Sequence, residues 1–303
     1  PPRGARGRDH AVKIVHITPG AGEGFYCENC LRDAALARAL RRGGHECLLV
    51  PLYLPPLADS PADRPEAPIF YGGVNVYLQQ VSALFRRSPR WLDRLLDSPR
   101  LLRWAARRAG MTSAERLGQT TLSTLRGPQG RQRKELARLL DWLAGRERPD
   151  AVVLSNALLA GLAPPIRRCL GVPVACTLQD EEGFLDDLPE PYRRQCWDLV
   201  AELTGGMDAL IAISRSYAGR MAERLGLPPD RIRVVHNGID AAGYAPASAP
   251  PRPRAVGFLS QMCRANGLDL LVEAFLALKA RPGMDDVKLR AAGGKTRADE
   301  AML

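Results

Sequence analysis

Apolar positions along the chain fall into short continuous runs, separated by longer stretches in which they recur every three or four residues. Val12-Lys13-Ile14-Val15-His16-Ile17-Thr18 is the first run, closed by Pro19-Gly20. Cys30 to Arg42 then sets Leu31, Ala34, Ala35, Leu36 and Ala39 on one helical face, and Gly43-Gly44 stops the helix. Further strand-like runs are Glu46 to Tyr53, Asp150 to Ser155, Val172 to Leu178, Ala209 to Ser214 and Arg231 to His236. Strands this apolar, alternating with helices, predict an α/β fold with a parallel sheet covered on both faces.

Residues 86–147 interrupt the alternation with a helical insertion, read as Trp91 to Arg108, Ala114 to Leu125 and Gln132 to Ala144. Such an excursion shapes a substrate cleft or a membrane-facing edge, or thickens the core. Residues 241–253, rich in Pro and Ala, read as a linker. Beyond them the alternation restarts with a strand at Ala255 to Ser260, a helix at Leu268 to Ala280 and a strand at Val287 to Ala292. The expected organisation is a first domain over 11–240, the linker, and the start of a second domain over 254–303. About 50 residues is less than a usual domain, so the second one is expected to be incomplete, by truncation rather than by sharing with another chain. Position 1 is Pro rather than Met, so a clipped amino end or a fragment is expected.

Composition narrows the class. Hydrophobic residues at 46% and charged residues at 25% match a globular protein, and no run of about 18 apolar residues predicts a membrane-spanning helix. The net charge of +10 is concentrated between Phe85 and Arg148. No aromatic-studded RNA-binding strand or zinc finger accompanies it, so no nucleic-acid partner is expected. A solvated helical face is the first reading of that charge. A peripheral membrane contact is the second, since Trp91, Leu92, Leu95 and Leu96 stand among several Arg. Seven cysteines and no apolar secretory core in Pro1 to His10 predict reduced thiols in a cytoplasmic protein, free or peripheral at the inner membrane face. Cys27-x-x-Cys30 at a helix start reads as packing on the first turn before redox chemistry. No second Cys/His pair completes a zinc site, and no metal is expected.

The loop Pro19-Gly20-Ala21-Gly22-Glu23-Gly24 between first strand and first helix permits close backbone approach to an anionic ligand. It is not the dinucleotide fingerprint, because the second strand ends in Val50-Pro51-Leu52-Tyr53 with no acidic residue. Gly293-Gly294-Lys295-Thr296 is likewise no triphosphate loop, since Leu289 stands where that motif needs Gly. His16, inside a strand, reads as core rather than catalyst.

Several runs taken together carry a resemblance. They are Gly22 to Asp33, Gly44-His45-Glu46, Tyr71 to Gln80, Cys176-Thr177-Leu178-Gln179, Leu188 to Arg193, Ile211-Ala212-Ile213-Ser214 and Val234 to Asp240. In this order and spacing the chain resembles a bacterial branch of the family 4 glycosyltransferases. The resemblance implies a GT-B fold, two Rossmann-like domains facing across a cleft. It implies transfer of a sugar from a nucleotide-diphosphate sugar to an acceptor hydroxyl with retention of configuration, without metal or cofactor. The partners implied are the nucleotide-sugar donor and a glycan, lipid or small-molecule acceptor. Gly22 and Gly24 would lie against the donor phosphates or the reacting sugar. In the second domain Gln261 and Asn266 occupy the positions where the family has an Arg and a Lys against the leaving diphosphate. Arg264 stands between them, and Gly267 opens the following helix. Gln179 takes the place of a His that many relatives set near the reacting sugar, and Asp180, Glu181 and Glu182 follow it. Gln179 and Glu181 are assigned to the reaction centre; the competing reading is that Asp180 to Glu182 cap a turn. Tyr26, Asp180, Ser214, His236, Asn237 and Gly238 are candidates for the acceptor side. The missing donor cations leave a second reading open, a catalytically impaired GT-B-like binding or scaffold protein. An epimerase or hydrolase on the same fold is a third.

Overall fold

A computed structural model describes residues 11–20, 28–53, 68, 70, 71, 114–239, 241, 244–246, 248, 249 and 252–294. Its contacts divide the chain into two compact units, one reaching Ile239 and the other starting at Asp240.

The first unit is built on six strands: β1 (Lys13–Thr18), β2 (Glu46–Pro51), β3 (Ala151–Leu154), β4 (Val174–Leu178), β5 (Ala209–Ala212) and β6 (Ile232–Val234). They form one sheet in the order β2-β1-β3-β4-β5-β6, and every neighbouring pair is parallel. Around it stand α1 (Glu28–Arg42), α2 (Ala114–Leu125), α3 (Arg133–Trp142), α4 (Ala163–Leu170), α5 (Glu181–Leu185), α6 (Tyr192–Gly205) and α7 (Arg215–Leu225). Val15, Ile17, Val152, Leu154, Val174, Cys176, Leu178, Leu210 and Ala212 are all buried. This explains the unbroken apolar runs, because helices on both faces leave no strand side facing water. The amino edge of the sheet is pinned by two carboxylates. Asp150 accepts the Lys13 N–H at 2.7 Å and Asp208 accepts the Val174 N–H at 2.8 Å. The chain leaves β1 toward β2 on one side and returns to β3 on the other. The strand order therefore reverses between β1 and β3, and open α/β sheets bind ligands outside such strand ends.

Each strand is shorter, by one to three residues, than the apolar run that predicts it, and at β4 and β6 the reason is visible. β4 starts at Val174 because Pro173 has no N–H to extend the ladder, although its carbonyl accepts from Val152 at 3.0 Å. Pro229–Arg231 forms a 3-10 turn ahead of β6, whose pairing closes with Val235 N–H donating to Ala212 at 2.9 Å. α2 occupies the expected residues. α3 stops at Trp142, and a π turn over Leu143–Glu147 follows, closed by Arg148 at φ 45°. The helix read at Trp91 to Arg108 lies outside the described residues, as do the membrane-contact residues near it.

α2 is seated on the core through bare backbone. A Cβ on Gly161, in the 3-10 segment Ala157–Leu162 that follows β3, would stand 2.3 Å from the Thr124 carbonyl oxygen and 2.4 Å from that of Leu125. Only glycine permits this approach.

The second unit contains β7 (Ala255–Leu259), α8 (Leu268–Lys279) and β8 (Lys288–Ala292), with β7 and β8 parallel. Leu268 and Val287 are buried, while Leu259, Leu270 and Leu276 are exposed. No helix among the described residues is long and apolar enough to cross a membrane.

Candidate functional site

In the first unit, polar side chains are buried together at the carboxyl ends of β1, β3 and β4. Strand alternation turns His16 and the core residues of β1 to opposite faces. On α1, Asp33 shares a face with buried Cys30, Ala34 and Ala37, and its side chain is fully enclosed. The Asp33 carboxylate has three protein partners. Arg32 Nε donates to Oδ1 at 3.0 Å, with its Nη2 on the same oxygen. Ser155 Oγ donates to Oδ2 at 2.6 Å. His16 Nε2 stands 3.2 Å from Oδ1, an ion-pair distance without hydrogen-bond alignment. Burial pushes the Asp33 carboxyl up. His16, Arg32 and Ser155 together outweigh it and hold the group at about 2, so Asp33 is ionised at neutral pH.

Gln179 continues the chain of contacts. Its Nε2 donates to the Ser155 carbonyl at 2.7 Å and approaches Ser155 Oγ at 3.4 Å. This orientation leaves Oε1 buried without a hydrogen-bond partner among the described residues, as are Thr18 Oγ1 and Asn156 Oδ1. Three adjacent strand ends thus each carry a buried polar atom with unmet hydrogen-bonding capacity, a recurrent mark of functional sites.

Glu181 ties the same edge together. One carboxylate oxygen accepts the Ala157 N–H at 2.9 Å. The other accepts the Gln179 N–H at 2.7 Å and the Tyr217 hydroxyl at 2.6 Å. The Tyr217 hydroxyl in turn accepts the Glu181 N–H at 2.9 Å. The segments after β3, β4 and β5 are therefore joined at one buried carboxylate. Burial raises the Glu181 pKa, and the bonds from Ala157, Tyr217 and Gln179 only partly offset that. Burial, and then the Glu181 charge, raise the Tyr217 phenol. Asp180, exposed between Gln179 and Glu181, sits in the left-handed region at φ 56°, which costs a non-glycine residue about 1 kcal/mol.

Of the residues singled out in the sequence, Gln179, Asp180 and Glu181 are brought to this edge. Ser214 caps α7, accepting the Tyr217 N–H at 3.1 Å. His236 is exposed, with Nδ1 3.1 Å from the Ile213 carbonyl, and Asn237 and Gly238 are exposed beside it. Gly22, Gly24, Tyr26 and Cys27 lie outside the described residues. In the second unit, Gln261, Arg264, Asn266 and Gly267 share the connection from β7 to α8. Arg264 Nε is paired with Asp269 at 2.9 Å. Asn266 Nδ2 donates to Ser260 Oγ at 3.0 Å and to the Gln261 carbonyl at 3.1 Å, which closes the connection on itself. Gly267 takes φ 75° immediately before α8. Among the described residues no group of three or more His, Cys, Asp or Glu is placed to hold a metal ion.

His16, Arg32, Asp33, Ser155 and Tyr217 are not among the residues the sequence reading selects for the site. A signal for Asp33 was present: it is an acidic residue on the apolar face of α1, opposite a His inside an apolar strand.

Comparison with known proteins places this architecture. Residues 111–242, which span β3 to β6, match the model of Glycosyltransferase Family 4. The D-inositol 3-phosphate glycosyltransferase of Segniliparus rotundus is 25% identical over 262 residues, 77% of this chain and 56% of the relative. The enzyme of the same description from Salinispora tropica is 29% identical over 149 residues, 41% of this chain and 30% of the relative. Among solved structures, Anabaena HepE in complex with UDP-glucose is similar with a TM-score of 0.54 at 14% identity, covering 96% of this chain and 63% of that one. Its complex with UDP gives a TM-score of 0.52 at 13% identity, covering 95% and 63%. At such identity the likeness shows the fold, that of the GT-B glycosyltransferases. The chain spans less than two thirds of the length of these proteins.

Proposed function

We propose that this chain is the greater part of a glycosyltransferase that moves a sugar from a nucleotide-diphosphate sugar to an acceptor hydroxyl. The observation that carries the reading is the family 4 match over 111–242, because the same span supplies Ser155, Gln179, Glu181 and Tyr217 to the buried polar edge. The glycosyltransferase names of the sequence relatives and the UDP and UDP-glucose held by HepE support a nucleotide-sugar donor.

In this reading the first unit handles the acceptor, a glycan, lipid or small molecule. Gln179 accepts a hydroxyl hydrogen of the acceptor or of the reacting sugar through Oε1. Glu181 and Asp33 are positioning residues: Glu181 fixes the Gln179 backbone, and Asp33 fixes Ser155 and through it the Gln179 amide. The second unit takes the diphosphate at Gln261, Arg264, Asn266 and Gly267, with α8 adding its positive end. The sugar C1–oxygen bond to the diphosphate breaks, a bond from C1 to the acceptor oxygen forms on the same face, and the acceptor proton passes to the leaving phosphate oxygen. The same-face substitution retains the configuration, and in this reading helix dipole and side-chain donors stabilise the leaving charge in place of a metal or other cofactor.

Calorimetric titration with UDP, GDP and ADP tests the donor side. Saturable binding of one of them, unaffected by EDTA, is expected. No binding of any of the three to the natural protein contradicts the reading.

A further inference from the structure

A cavity of about 510 Å³ opens in the helical layer of the first unit, between α2, the turn that follows it and the start of α6. Its lining is separate from the polar edge described above. Gln119 comes from α2, Gln129 from the turn, and Tyr192 and Gln195 from α6. The lining therefore combines three primary amides with one aromatic ring.

The walls are held in place by packing and by hydrogen bonds. Gly118 of α2 lies so close to Tyr192 that a Cβ there would stand 2.7 Å from the ring, so the ring rests on bare backbone. Gly130 seats the turn on α2 in the same way, since its Cβ would stand 2.0 Å from the Ser123 carbonyl oxygen. Buried Ser123 also accepts the Arg131 N–H at 2.7 Å and donates to Gln132, which locks the turn carrying Gln129. Arg126 Nη2 donates to Gln195 Oε1 at 3.3 Å and orients that amide. Gln119, Tyr192 and Gln195 are half-buried, while Gln129 is exposed.

Each ingredient selects a ligand feature. A primary amide donates and accepts at once, as a hydroxyl does, so three amides around one space match a ligand with several hydroxyls. The Tyr192 ring offers an apolar face, with a polar handle at its tip. A sugar ring meets both demands, because its hydroxyls lie around the rim and its C–H groups on the faces. The volume is that of a small-molecule site. We infer that this cavity binds carbohydrate, taking a neutral sugar or one unit of a neutral glycan chain. The inference goes beyond the transferase reading and does not depend on it, since binding here needs neither nucleotide nor turnover.

The test is an array of neutral gluco-, galacto-, manno- and xylo-oligosaccharides, followed by calorimetry with the strongest binder and with uridine. The natural protein is compared with Q119A/Q129A, Y192L and Q179A. At least one oligosaccharide is expected to bind, with an affinity that salt leaves unchanged because no charge is shared. Q119A/Q129A and Y192L are each expected to lose that affinity at least tenfold, and Q179A, altered at the polar edge instead, is expected to keep it. Tyr192 is packed on Gly118; should Y192L unfold, Q119A/Q129A carries the comparison. The proposal is overturned if no oligosaccharide binds, if uridine, which a stacking ring alone would hold, binds as tightly as the best of them, or if folded Q119A/Q129A binds as the natural protein does. Loss of binding in Q179A would also overturn it, by placing the glycan at the polar edge.

Discussion

Asp33 and Glu181 are both enclosed carboxylates on the same edge, yet their surroundings move them in opposite directions. Asp33 has Arg32, His16 and Ser155 beside it and is held near 2, below its ordinary 3.8. Its contribution to stability is complete above the unfolded value and is lost as pH falls from 3.8 toward 2, a difference of roughly 2 kcal/mol. Glu181 is raised above its ordinary 4.5. Its contribution is complete below 4.5 and is lost as pH rises through its folded value. Urea unfolding followed from about pH 2 to about pH 7 separates the two, because each variant removes one limb. D33N is expected to flatten the acid limb, and E181Q to flatten the loss on the rising side. At neutral pH D33N also breaks a buried charge pair, and about 3–5 kcal/mol of destabilisation is expected. A D33N protein as stable as the natural one would show that the His16, Arg32 and Ser155 contacts contribute nothing.

At the scale of elements, the strands and α2 were legible because their apolar spacing differs in period, and their ends failed where proline and turn chemistry intervened, as at Pro173 and Pro229. Gln179 and Glu181 were legible through the resemblance and through their place after an apolar strand. The bonds that make Glu181 a junction were not, because Ala157 and Tyr217 come from the segments after β3 and β5, and only folding brings them together. Asp33 was hidden for the same reason, with its partners on β1 and after β3. The seam between α2 and the core gives the sharpest prediction at this scale. Gly161→Ala places a methyl 2.3 Å from the Thr124 carbonyl, so the backbone has to shift, at an expected cost of about 1–3 kcal/mol. A thermal scan reads it: the midpoint is expected to fall by several degrees, while Gly219→Ala, with nothing within 4 Å of the added Cβ, is expected to leave it within about a degree or raise it slightly.

Across the whole molecule, apolar burial is uneven. The core cluster runs from Val15 to Ile232 in the first unit, whereas the second has buried Leu268 and Val287 beside exposed Leu259, Leu270 and Leu276. Hydrogen exchange is expected to protect the amides of β1, β3, β4 and β5 most, and those of β7 and β8 far less, since local opening follows how little apolar surface closing buries. Equal protection in both sheets would contradict this. The α/β class and the order of its described elements were readable from hydrophobic period alone, and the likeness to family 4 glycosyltransferases from the motifs; the charge network required the coordinates. The most direct measurement of the functional account is sugar transfer by the natural protein. UDP-, GDP- and ADP-glucose are offered with pooled glycan, lipid and small-molecule acceptors in EDTA, and product is detected by mass and by the configuration at the new linkage. The account predicts a hexose added from one donor with the anomeric configuration of that donor, and at least tenfold slower transfer in Gln179→Ala. Donor hydrolysis without any glycosylated product, or no turnover of any donor by folded protein, would contradict it.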